Sequence, residues 1–115
     1  MTLTIAATTP AICEPPLNVE EEVKEYFADI PIMAEIAKCE SSFRHYLDDG
    51  TVLRGRVNPK DVGVMQINTY YHGEQAENLG LDLLDLKENM EYARHLYNKR
   101  GTRDWFWSEH CWGVV

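Results

Sequence analysis

The sequence predicts a mainly helical α+β domain with one small β-hairpin, on three observations. Residues Pro31 to Glu40 carry an apolar stripe at helical spacing. Asp85 and Glu88 stand at capping-box spacing ahead of a second stripe, Met90, Ala93, Leu96 and Tyr97. Asp49-Gly50, set between Tyr46 and Val52, is a hairpin turn signal.

Size and charge bound the reading. At 115 residues and 44% hydrophobic, the chain can bury one ordinary core, since a domain of this size hides roughly two-thirds of its unfolded surface. One domain is expected, with no internal repeat and no run of roughly 20 apolar residues that would span a membrane. A formal net charge of −8 argues against a nucleic-acid partner, because that affinity comes mainly from Lys and Arg neutralising phosphates. Met1 to Thr9 lack the positive start and apolar stretch of a secretion signal, although Ala6-Ala7-Thr8 suits a processing region.

Residues 1–17 are rich in Thr, Ala and Pro, end near Pro15-Pro16 and show no periodicity, so they read as an arm or linker before a domain spanning 18–115. Asn18 can cap a first helix whose opening turn carries Glu20, Glu21 and Glu22 and whose buried face is Val23, Tyr26 and Phe27. Pro31 suits the first position of a second helix, with Ile32, Ile36 and Glu40 on one stripe widened by Met33 and Ala37. The hairpin follows, between Phe43 and Leu53. After a loop containing Asn58-Pro59, the segment Val62-Gly63-Val64-Met65-Gln66-Ile67-Asn68 is mostly apolar. A third helix over Tyr70 to Leu79 stops at Gly80, and the fourth ends at Arg100-Gly101. Three tryptophans between Asp104 and Trp112 imply a short element closing the core.

Glu40 is the leading candidate for chemistry. A carboxyl at the end of an apolar stripe is partly desolvated, which disfavours its ionised form. The negative end of the helix dipole acts in the same direction. Both effects favour a protonated acid near neutral pH, the state needed to protonate a glycosidic leaving group. Most helix-end Glu residues are simply solvated, so the surrounding residues must decide.

Ala37-Lys38-Cys39-Glu40-Ser41-Ser42-Phe43 followed by Gly63-Val64-Met65-Gln66-Ile67-Asn68 resembles the soluble lytic transglycosylases of the lysozyme superfamily. In that family a Glu-Ser pair ends a helix and a Gly-Leu-Met-Gln-Ile-like segment follows a short β region; Val64 stands here where Leu is usual. Asn89-Met90-Glu91-Tyr92-Ala93 looks like the family's Asn-Ile-x-x-Gly helix, with Ala93 in place of Gly. The resemblance runs from about Ile30 to Arg100. It implies a lysozyme-like helical domain with a small β-hairpin after the catalytic helix, and an extracytoplasmic enzyme, cellular or phage-borne, that cuts peptidoglycan strands. Glu40 would be its single acid/base; Ser41, Met65, Gln66, Asn68 and Tyr92 would serve the glycan site. The Ala-Tyr-Asn-Ala-Gly segment common at that family's end, whose Tyr faces the catalytic Glu, is absent here. Tyr92, Tyr97, Tyr70 and Tyr71 are the residues available to replace it.

Lytic or hydrolytic chemistry turns on a second carboxylate, because a hydrolase needs a base for water or a nucleophile. Asp48 and Asp49 sit at a turn, a common structural place for Asp. Asp61 is the stronger contender, while goose-type relatives carry Asp where this chain has Asn68, an amide that cannot act as base. The expected reaction is therefore lytic. Glu40 protonates the oxygen of the MurNAc-GlcNAc β-1,4 bond and then takes the proton of the muramic acid C6 hydroxyl, giving a 1,6-anhydro product. A hydrolytic lysozyme of the same fold is the alternative.

A Cys39 to Cys111 bond would tie the chain end to the helix of Glu40, worth roughly 4 to 5 kcal/mol at most for so long a loop. Two buried thiols are the other possibility, and Cys13 would be left free. No CxxC spacing supports zinc, so neither metal nor cofactor is expected. A Cys nucleophile paired with His45, His95 or His110 has no supporting spacing. Trp105, Trp107 and Trp112 could stack on a sugar, although core closure suits at least two of them. Peptidoglycan strands are the expected partner of a monomer. A glycan-binding domain without turnover is a competing reading, motivated by the missing Tyr segment. An inhibitor or interaction partner has only the acidic charge behind it.

Overall fold

The computed structural model describes residues 17–113, so the arm expected over 1–17 lies outside the described residues except for Leu17, as does Cys13. The described chain forms a mainly helical α+β domain. Its helices are α1 (Val19–Tyr26), α2 (Pro31–Ser41), α3 (Thr69–Asn78), α4 (Leu86–Arg100) and α5 (Glu109–Trp112). A two-stranded antiparallel sheet, β1 (Asp61–Val62) and β2 (Ile67–Asn68), lies between α2 and α3, and a 3-10 helix, Arg103–Ser108, precedes α5. No helix among the described residues is long and apolar enough to cross a membrane.

Local punctuation accounts for the helix ends. Asn18 caps α1 in a full capping box: its side chain accepts from the Glu21 amide at 2.8 Å, and the Glu21 carboxylate accepts from the Asn18 amide at 3.1 Å. Pro31 opens α2, where its missing N–H leaves no helical bond unmade. Asp85 caps α4 through the Glu88 amide at 3.0 Å, but the box stays half formed. The Glu88 carboxylate turns instead to the Asp82 amide at 2.7 Å, securing the loop ahead of the helix.

The buried face of α2 is Met33, Ala34, Ile36, Ala37 and Ser41. Glu40 and Ile32 flank this face half-buried, and so Glu40 sits at the margin of the core. On α4, Asn89, Met90, Tyr92, Ala93 and Leu96 are buried, whereas Tyr97 is only partly covered. Arg94 clamps α4 to the α1–α2 connection. Its guanidinium bonds both Asp29 carboxylate oxygens, at 2.9 and 3.0 Å, and the Tyr26 carbonyl at 2.7 Å, while lying over the Tyr26 ring.

The β structure is displaced from its expected place. Around Asp49-Gly50 the chain does turn, with the Leu47 amide bonded to Thr51 O at 2.7 Å, but Tyr46 and Val52 form a single bridge and no strand. The ladder ends at Leu53, whose amide still donates to His45 O at 2.8 Å but whose carbonyl accepts from Gly63 N–H at 2.9 Å, and Arg54 bridges Val62. The two strands therefore form downstream, with Asp61 opposite Asn68 and Val62 opposite Ile67.

The tail closes the core. Trp105 and Trp112 are buried, and Trp107 is 82% exposed. Cys39 and Cys111 form a disulfide with Cα atoms 6.1 Å apart, joining α2 to α5 across 72 residues.

Candidate functional site

At its C-terminus α2 unwinds abruptly, with Ser42 and Phe43 both left-handed at φ of 54° and 59°. Non-glycine residues adopt this conformation only where neighbouring structure imposes it. Ser41 secures the break: its buried hydroxyl donates to Ala37 O at 3.0 Å and accepts from the Arg44 amide at 3.2 Å. This leaves Ser41 closing the helix end beside Glu40.

The Glu40 carboxylate meets the tail. Ser108 Oγ donates to Glu40 Oε2 at 2.6 Å, and Trp112 Nε1–H donates to Ser108 Oγ at 2.9 Å. Burial pushes the Glu40 carboxyl up from the usual carboxylate range; the Ser108 bond opposes this, and the negative charge of Asp61 adds to it. Asp61, on β1, thus acts electrostatically on Glu40. Its own carboxyl is also pushed up by burial, against a 3.0 Å bond from Asn68 Nδ2. Asn68 spends its oxygen elsewhere, capping α3 through the Tyr71 amide at 2.9 Å. It holds Asp61 and starts α3 at once.

The turn between β1 and β2 is fixed from beneath. The Asn89 side chain is buried and fully engaged: Oδ1 accepts from the Met65 amide at 3.0 Å, while Nδ2 donates to Val62 O at 3.1 Å and Leu83 O at 2.9 Å. His45 is its counterpart. Its Nδ1 accepts from the Val64 amide at 3.0 Å, so Nε2 carries the hydrogen that bonds Leu84 O at 2.9 Å. Burial lowers the His45 pKa. Between the two side chains Gly63 has φ of 78°, and a Cβ there would stand 2.4 Å from Asn89 Nδ2 and 2.7 Å from His45 Cε1. Only glycine fits.

Gln66 closes the turn with φ of 51° and bonds Gly63 O through Nε2 at 2.9 Å. Its Oε1 lies against Gly55, which the Asp61 side chain also approaches. Gln66 and Asp61 therefore converge on one backbone position. Met65 is wholly buried, and its carbonyl accepts from Trp105 Nε1 at 2.9 Å. Its side chain is core, and its backbone ties the turn to the tail.

Tyr92 is 1% exposed and its hydroxyl lies 3.1 Å from His72 Nδ1, while His72 Nε2 stands 3.6 Å from Asp104, itself paired with Arg100. This chain joins α3, α4 and the 3-10 helix. Tyr70 and Tyr71 are exposed on α3. Where the sequence offered a tyrosine for Glu40, the structure supplies Ser108.

Sequence reasoning also missed the roles of His45 and Asn89. A signal for Ser108 existed: it lies three residues, about one turn, before Cys111, and the disulfide carries that turn beside the residue preceding Glu40. Phe106 and Trp107, just ahead of Ser108, are both exposed, with ring centroids 4.5 Å apart and planes tilted by 37°. A cleft lined by Arg54, Thr69, Glu77 and Leu83 contains none of Glu40, Ser108, Asp61 and Gln66. No group of three or more His, Cys, Asp or Glu among the described residues could hold a metal ion. Comparison with protein-family models, with curated proteins and with solved structures finds no match to this chain.

Proposed function

We propose that the chain is a peptidoglycan lytic transglycosylase of lysozyme-like fold, acting outside the cytoplasm on the bond between N-acetylmuramic acid and N-acetylglucosamine. The observation that carries the reading is the half-buried Glu40 carboxyl, raised in pKa and hydrogen-bonded by Ser108, at the head of the Glu-Ser and Gly-x-Met-Gln-Ile motif order. Glu40 protonates the glycosidic oxygen as the C–O bond breaks. Its carboxylate then removes the C6 hydroxyl proton while that oxygen bonds to C1, closing the 1,6-anhydro ring. The substrate's N-acetyl carbonyl stabilises the cationic carbon, so no protein nucleophile is required. The disulfide is compatible with an oxidising compartment.

A specific observation favours a second reading. Asp61 acts on Glu40 electrostatically, and a carboxylate across the sugar from the acid could activate water in a hydrolase. Mass spectrometry of a digest of purified peptidoglycan separates the two. Products one water lighter than hydrolytic muropeptides, lost in Glu40→Gln and retained in Asp61→Asn, support the lytic route. Reducing-end products that disappear in Asp61→Asn convict the hydrolase, and cleavage undiminished in Glu40→Gln removes both. Binding of glycan oligomers with no product at all would leave a glycan-binding domain.

A further inference from the structure

The Ser108 hydroxyl has one hydrogen and two acceptors within reach, Glu40 Oε2 at 2.6 Å and the Trp105 carbonyl oxygen at 3.1 Å. One lone pair of Ser108 Oγ already accepts from Trp112 Nε1–H at 2.9 Å. That bond cannot reverse, because an indole nitrogen only donates. The oxygen therefore keeps a second lone pair, and its hydrogen can point either way by rotation about the Cβ–Oγ bond, with no heavy atom moving. Toward Glu40 it serves a carboxylate. Toward Trp105 it frees the lone pair facing Glu40 to accept from a carboxylic acid O–H.

A single acid/base must be held in both of its protonation states. A partner that only donates stabilises the ionised form and disfavours the protonated one; a partner that only accepts does the reverse. We propose that Ser108 is a two-way positioning residue for Glu40, donating to the carboxylate and, with its hydrogen turned to the Trp105 carbonyl, accepting from the carboxylic acid. Ser108 neither gains nor loses a proton in the cycle. The Glu40 proton goes to the glycosidic oxygen and is replaced from the C6 hydroxyl. This role rests on the reading of Glu40 as the acid/base. Trp112 has a second acceptor, the Trp105 carbonyl at 3.2 Å, and so removing the Ser108 hydroxyl leaves no buried indole N–H unpaired.

The test combines the pH dependence of peptidoglycan cleavage with carbon NMR titration of the Glu40 carboxyl, in the disulfide-bonded chain with Glu40→Gln run alongside to assign the signal. Ser108→Ala loses a bond from both protonation states. Cleavage should fall roughly 10- to 100-fold as the carboxyl loses its fixed geometry, while the Glu40 titration rises by less than about one pH unit, because the bond lost from the carboxylate is partly offset by the bond lost from the acid. Ser108→Thr, which keeps the hydroxyl, should restore rate and titration. A rise of more than about one pH unit in Ser108→Ala would show a donor-only contact and overturn the proposal. So would a rate equal to wild type in Ser108→Ala, or a rate in Ser108→Thr as low as in Ser108→Ala. Undiminished cleavage in Glu40→Gln would sink the reading of Glu40 itself, an outcome the Ser108 variants do not mimic.

Discussion

The sulfur atoms of Cys39 and Cys111 are bonded, and each cysteine sits within one helical turn of one partner in the Glu40–Ser108 hydrogen bond. The cystine thus anchors both halves of the site. A Cys39→Ser/Cys111→Ser double variant should lose at most about 4 to 5 kcal/mol, the loop-entropy limit for so long a closure. Cleavage should fall even at temperatures where the variant stays folded, because α5 and Ser108 are released from α2. Calorimetry beside a cleavage assay well below Tm checks this. Unaltered cleavage in a destabilised variant would separate the disulfide from the site.

Glu40 should cost the fold stability as pH rises. Its folded pKa lies above its unfolded value near 4.5, so the native state binds the proton more tightly. The associated stability is present below that value and is lost as pH rises through the folded pKa. Glu40→Gln keeps an acceptor for Ser108 and carries no charge to desolvate. Urea unfolding should show the variant gaining on wild type from pH 4 to pH 8, with cleavage abolished. A gap that narrows with pH would contradict the raised pKa.

His45 works in the opposite direction. It is braced as a neutral ring, and protonating Nδ1 would cost the Val64 amide its acceptor. Its folded pKa lies below the unfolded value of 6.5, so the stability it confers is present above 6.5 and is lost as pH falls through the folded pKa. His45→Gln should flatten this part of the stability curve. Equal slopes in wild type and variant between pH 6.5 and 5 would count against the assignment.

Much of the framework was legible because it is written in near neighbours. Asn18, Pro31 and Gly101 mark helix ends through contacts a few residues long, and Trp105 and Trp112 fill the core as aromatic residues in a closing segment do. The β region was harder to read. Asp49-Gly50 specifies a turn, but not that the Leu53 carbonyl would pair with Gly63 while its amide stays on His45. Glu40 was readable from its place at the end of α2, whereas Ser108 meets it only after the chain closes over 68 residues. No periodicity reports such a contact. Met65 and Ser41 belong to the motif that resembles a glycan site, yet here their polar bonds secure the turn and the helix end.

Gly63→Ala should be among the most damaging single-methyl changes in the chain. The left-handed backbone costs about 1–2 kcal/mol for an L-residue, and overpacking against Asn89 and His45 adds about 1–3 kcal/mol. A loss of roughly 2 to 5 kcal/mol in chemical denaturation is expected. Because the turn carries Gln66 and abuts Asp61, cleavage should fall too. A change below about 0.5 kcal/mol, the range of surface substitutions, would mean that the turn relaxes around the methyl.

Tyr92→Phe distinguishes a structural hydroxyl from one that works beside Glu40. The hydroxyl is paired with His72, whose pKa burial lowers. Losing one such bond costs about 0.5–1.5 kcal/mol, with a further penalty if the ring nitrogen is left dry. The variant should therefore melt at a lower temperature and leave cleavage, measured well below Tm, within about twofold of wild type. The His72 titration, followed by proton NMR, should move with the substitution, since its Nδ1 loses its partner while Asp104 stays in place. A large fall in cleavage with little loss of stability would instead give Tyr92 the role that the hydrogen bond to Glu40 assigns to Ser108.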